Sequence, residues 1–164
     1  MASYVNSSTV GVDLNSTNTT AQFALGTRVT GSNNSSWVYV YMSGAASAGA
    51  ACVLSVTGTA AMATIALAMA PGKNVAFAQT AFTAADYGWV CQAGLGMAIL
   101  ASATTAAVTT GLYVGTVAGH LSTTAGSATM IGVQYTGSSA TATSWATTGV
   151  LSFPYIANAN LSDS

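Results

Sequence analysis

Very few side chains in this sequence are equipped for chemistry. The charged set is Asp13, Arg28, Lys73, Asp86 and Asp163, joined by one histidine, His120, and two cysteines, Cys52 and Cys91. Acid–base work by carboxylates needs two of them close together, yet Asp13 and Asp163 lie towards the two ends and Asp86 stands alone. A metal site needs a cluster of His, Cys and carboxylate ligands. One histidine and two separated cysteines do not supply one, so neither a metal nor a cofactor is expected. A Ser-His-Asp set can be drawn from His120, Asp86 and a serine, but no G-x-S-x-G turn is present to expose the nucleophile. Cys91 with His120 is the other available nucleophile and base. Both cysteines sit in apolar, strand-like runs, which reads as buried thiols, with a Cys52–Cys91 bridge as the alternative. Gly94-Leu95-Gly96 is too short to cradle a phosphate and leads into a strand rather than a helix. These residues do not read as an enzyme.

The elements that hold them are built from small side chains. Ala, Thr, Ser and Gly make up 93 of the 164 residues, and Leu, Ile, Val and Phe only 33. That length suits one domain with a real core. From Val29 to Gly72 there is no charge, and from Tyr87 to Ser162 only His120 can acquire one. Two cations cannot neutralise a run of phosphates, so nucleic acid is not an expected partner. Disorder normally couples high net charge with few aromatics; here the net charge is −1 and there are 14 aromatic residues. Ala45–Ala70 is an uncharged stretch of membrane-spanning length. It contains so few Leu, Ile and Val, and such sparse basic flanks, that no membrane span is expected. Met1-Ala2-Ser3-Tyr4 has neither the basic region nor the apolar core of a secretory signal.

The pattern is that of strands. In Trp37-Val38-Tyr39-Val40-Tyr41-Met42, alternation puts Trp37, Tyr39 and Tyr41 on one face and Val38, Val40 and Met42 on the other. Both faces are apolar, so both need cover: the chain's own core on one side, and a second sheet or another protein on the other. Trp37, Tyr39, Tyr41, Tyr87 and Trp89 are therefore the candidate interface residues. The sequence predicts a hairpin from Phe23–Thr30 into the Trp37 strand. Further strands are predicted near 50–57, 75–80, 87–93, 97–100, 112–114, 129–135 and 150–155. The segment 60–69 reads as strand or short helix, and 81–86 as one helical turn. Eight to ten short strands separated by Gly, Ser, Thr or Asn turns predict an all-β barrel or sandwich. Residues 1–22 read as an extended, poorly packed arm, 23–157 as the β domain and 158–164 as a polar tail. A faint repetition runs from Trp37-Val38 to Trp89-Val90, from Cys52–Val56 to Tyr113–Val117, and from Val75-Ala76-Phe77-Ala78-Gln79 to Ile131-Gly132-Val133-Gln134. Its offset drifts between 52 and 61 residues, and so biased a composition also produces such echoes by chance.

The order Leu25-Gly26-Thr27-Arg28-Val29, Trp37-Val38-Tyr39-Val40, Ala84-Ala85-Asp86-Tyr87-Gly88-Trp89-Val90, Ala118-Gly119 and Ile131-Gly132-Val133 resembles small β-rich head proteins of tailed bacteriophages. The likeness spans about Phe23 to Tyr155. It implies a decoration or cement protein on the capsid exterior, bound to the major capsid protein and touching neighbouring copies or forming a homo-oligomer. Two other roles remain open. One is another virion component: a head fibre, a tail-tube part or a small capsid subunit. The other is a Thr-rich module that binds a surface such as carbohydrate or ice. The Thr pairs at 104–105, 109–110, 123–124 and 147–148 are adjacent rather than alternating, which places them on opposite strand faces.

Overall fold

The computed structural model describes residues 11–68, 73–102, 112–122, 128–135 and 144–158. It is all-β. The strands are β1 (Thr17–Asn18), β2 (Arg28–Thr30), β3 (Ser36–Met42), β4 (Ala51–Leu54), β5 (Thr59–Met62), β6 (Val75–Ala78), β7 (Tyr87–Ser102), β8 (Leu112–Val114), β9 (Leu121–Ser122), β10 (Ala128–Tyr135) and β11 (Ser144–Asn158). One helical turn, α1 (Ile65–Ala68), follows β5.

The pairings close two rings that share one strand. In the first, β3 pairs with β7 (Tyr39 opposite Trp89), β7 with β6, β6 with β4, and β4 with β5, all antiparallel. A parallel contact of β5 with β3 (Met42 opposite Ala60) completes it. In the second, β7 pairs with β11, β11 with β10, β10 with β8, and β8 with β9, again antiparallel. A parallel contact of β9 with β7 (Ala101 opposite Leu121) closes that ring. Thus β3, β4, β5, β6 and β7 play the same parts in the first ring as β7, β8, β9, β10 and β11 play in the second. The faint sequence echo falls on this correspondence. Trp37 and Trp89 lie on β3 and β7, Cys52 and Tyr113 on β4 and β8, and Val75 and Ile131 on β6 and β10.

Sixteen residues let β7 serve both rings. Its first half faces β3 and β6, and its second half β11 and β9. Ahead of β9, part of the β7 edge is filled by other groups. The Gln79 side chain accepts from Ala98 N–H at 2.8 Å and donates to its carbonyl at 3.1 Å, and Leu100 N–H donates to Gly49 O. Gly94-Leu95-Gly96, read from sequence as a link between two strands, is instead an irregularity inside one. Gly149 pairs with Met97 but Leu151 with Gly94, so β7 carries an extra residue there. Gly96 takes the positive φ of 68° that such a kink favours in glycine.

A ring of five strands encloses little space, and the side chains meeting within the first ring are correspondingly small. Val38, Val40, Ala50, Cys52, Ala60, Ala76, Ala78 and Val90 form that cluster with Met42 and Phe82. The opposite face of the same strands carries Trp37, Tyr39, Val53, Val75, Phe77, Trp89 and Cys91. It packs in one cluster with Ile99, Leu112, Val114, Leu121, Met130, Leu151 and Ile156 from the second ring. An alanine-rich composition is what this geometry requires.

Several expectations shift. The hairpin of β2 and β3 is present, with Val29 opposite Trp37, but its first strand is only three residues long. The ambiguous 60–69 segment divides into β5 and α1. The helical turn expected at 81–86 is a bridge from Phe82 to Ala46 followed by a tight turn with Ala85 at φ 71°. Residues 144–148, expected in a loop, begin β11. The threonine pairs at 104–105, 109–110 and 123–124, and the tail from 159 onward, fall outside the described residues. No helix among the described residues is long and apolar enough to cross a membrane.

Gly149 lies between β7 and β10, opposite both Met97 and Tyr135. A Cβ there would strike Ile99 Cδ1 and sit 2.6 Å from the Gln134 carbonyl oxygen. Gly149→Ala is expected to destabilise the fold by about 1–3 kcal/mol, read as a lower urea midpoint at unchanged slope.

Candidate interface: the aromatic strand pair and its cover

The five candidate residues come together on one face of the β3–β7 ladder. Tyr39 lies opposite Trp89, Tyr41 opposite Tyr87, and Trp37 opposite Cys91. The Tyr39 and Trp89 rings meet edge to face with centroids 5.0 Å apart, and Tyr41 and Tyr87 are 5.2 Å apart. Tyr87 also stacks on Tyr39 at 6.5 Å.

Most of this face is covered by the chain itself. Trp37, Tyr39 and Trp89 are each no more than 2 % exposed. Their cover is the chain's own N-terminal segment. Leu14 is fully buried and Val12 nearly so, both within the aromatic cluster. Phe23 places its ring 5.3 Å from both Tyr39 and Trp89. The segment is tied down by β1, where Thr17 and Asn18 pair with Gly88 and Tyr87. Val12 and Leu14, assigned from sequence to a poorly packed arm, are therefore part of the core, and Thr17 and Asn18 are paired to β7; residues 1–10 lie outside the described residues. The signal that locates them is the two-residue spacing of Val12 and Leu14, isolated among polar residues. Only Tyr41 and Tyr87 remain half-buried at the rim.

The polar tips of Trp37 and Tyr39 are bonded. The Trp37 indole N–H donates to Ser35 Oγ at 2.8 Å, and Ser35 Oγ–H in turn donates to the Ser32 carbonyl. The Tyr39 hydroxyl accepts from Gln22 N–H at 2.9 Å. Asp86 closes the turn leading into β7: its carboxylate accepts from the Thr83 hydroxyl and from Thr83 N–H, while Met42 N–H donates to the Asp86 carbonyl. The bonds from the Thr83 side chain and backbone hold the Asp86 carboxyl below the usual carboxylate range.

The two cysteines are both free and lie in different clusters, Cys52 among the alanines inside the first ring and Cys91 on the aromatic side. That placement rules out the bridge in this fold. Burial pushes both thiols up to about 12. A protonated, sealed thiol is a poor nucleophile, which counts against the Cys91–His120 pairing.

An apolar surface that does face outward lies on the second ring. Ile131 and Tyr155 are cross-strand partners, and Phe153, two residues along β11, is 55 % exposed. The register slips here, from Ile131 opposite Tyr155 to Val133 opposite Leu151, so β11 carries two more residues than β10 over that step. Gly132 at φ 83° and Phe153 at φ 46° absorb the mismatch. A side chain at 132 would sit 2.6 Å from the Ser152 carbonyl oxygen. The bulge aims Phe153 away from the core. Neither Phe153 nor Ile131 was marked by the strand pattern as a contact residue.

Leu14→Ala is expected to cost about 2–5 kcal/mol in chemical denaturation, as for a core leucine rather than a frayed end. Asp86 contributes stability that is present above the unfolded carboxyl pKa and is lost as pH falls through its lower folded value. Thermal melts are expected to show wild type losing more stability than Asp86→Asn on acidification below about pH 4. No family model matches the chain, and neither curated proteins nor solved structures give a match.

Proposed function

We propose that this chain is a structural protein of a tailed-bacteriophage head, a decoration protein on the capsid exterior that binds the major capsid protein and neighbouring copies. The observation that carries the reading is the outward set of Ile131, Phe153 and Tyr155, raised on a built bulge in a chain with only five charged side chains. Apolar area of this kind stabilises a contact by about 25 cal/mol per Å² before the costs of association. Such a contact is little affected by salt. The phage-like stretch Ile131-Gly132-Val133 coincides with the bulge, where Gly132 supplies the φ the slip in register needs. The two rings leave short, mostly paired strand edges, which suits a protein crowded among copies of itself.

Mass-spectrometric census and reconstruction of purified particles are expected to place the chain on the outer capsid surface. Its absence from particles, or a position in the tail, overturns the reading. Phe153→Ser and Tyr155→Ser chains are expected to rebind stripped particles at least about tenfold more weakly, with an unchanged thermal midpoint. Equal rebinding removes this face from the contact.

A further inference from the structure

Between the N-terminal segment and the aromatic pair lies a cavity of about 290 Å³, lined by residues that include Asp13, Ser16, Asn18, Gln22, Phe23, Tyr39 and Trp89. Its floor holds two hydrogen-bond donors without an acceptor among the described residues. Tyr39 accepts from Gln22 N–H, which leaves its own O–H proton to give. The Trp89 indole N–H has no bond to a described residue and, unlike Gln92 Oε1, is not sealed from solvent. Trp37 shows the contrast, since its N–H is consumed internally by Ser35 Oγ. At the rim, the Asp13 carboxylate uses one oxygen to accept from Asn15 N–H, leaving the other oxygen to receive. Gln22 donates to the Thr20 carbonyl, so its amide oxygen also remains to accept. Half-buried Phe23 adds an apolar wall.

The chemistry selects a ligand class. No Lys, Arg or His lines the cavity, and its one charge is negative, so anions are disfavoured. An ammonium group would want open ring faces, but Phe23, Tyr39 and Trp89 are packed against one another at 5.0–5.3 Å. Two donors at the floor, acceptors at the rim and one apolar wall match a neutral ring bearing several hydroxyls. The volume, at the small end of ligand sites, suits a single ring. We propose that this cavity binds the terminal sugar of a neutral glycan, with Tyr39 and Trp89 donating to ring hydroxyls and Asp13 accepting from them. The inference stands apart from the virion role, since it rests on a different face.

The test is nitrogen-15 NMR of the full chain titrated with methyl glucoside, methyl mannoside, methyl galactoside and N-acetylglucosamine. At least one sugar is expected to shift the Trp89 indole N–H saturably while the Trp37 indole N–H stays in place. Asp13→Asn, which keeps the shape and removes the charge, is expected to weaken that binding about tenfold with an unchanged thermal midpoint. A Trp89 signal stationary to about 50 mM of every sugar overturns the proposal. So does a shift produced equally by sodium phosphate, or one indifferent to Asp13→Asn.

Discussion

Everything in this fold depends on β7, whose sixteen residues take partners on both edges. An unpaired backbone group removed from water costs about as much as a lost hydrogen bond. A strand that is central to two rings must therefore find a partner at each position. It draws on five strands, β1, β3, β6, β9 and β11, and beyond them on the amide of Gln79 and the carbonyl of Gly49. The kink at Gly94-Leu95-Gly96 lets one strand leave the first ring and enter the second.

The doubled topology explains the odd composition. Five strands curling on themselves leave room for Ala, Val and Cys but not for a full set of Leu and Phe. The large side chains go to the other face, where the second ring and the N-terminal segment cover them. Thr and Ser then solvate the outside in place of charge. This is a fold in which area is buried by interlocking rather than by bulk. Among the outward apolar residues, Ile131, Phe153 and Tyr155 stand together at the bulge of Ser152-Phe153-Pro154.

Much of this was legible in the residues. Two-sided burial of Trp37–Met42 follows from alternation of aromatic and β-branched side chains, and the hairpin follows from the Gly31–Ser36 turn. Free, buried thiols follow from their apolar neighbours. The faint echo of Trp37-Val38 in Trp89-Val90 corresponds to a repeated pairing scheme. What could not be read was which partner each face meets. Three aromatics on a strand look the same whether a second protein covers them or Leu14 and Phe23 do. Val12 and Leu14 carry so little local signal among Asn, Ser and Thr that their burial comes only from being laid across β7.

The sequence by itself determined the class of structure: short strands, small side chains and almost no charge. Alternation and turn chemistry are local, and they survive in the primary order of residues. Only the tertiary structure decided that β7 is shared, that the chain's own N-terminal segment lies over the aromatic face, and that Phe153 points outward. Those outcomes depend on register between strands distant in the chain. A slip of one residue in such a ladder exchanges inside for outside without changing a single side chain.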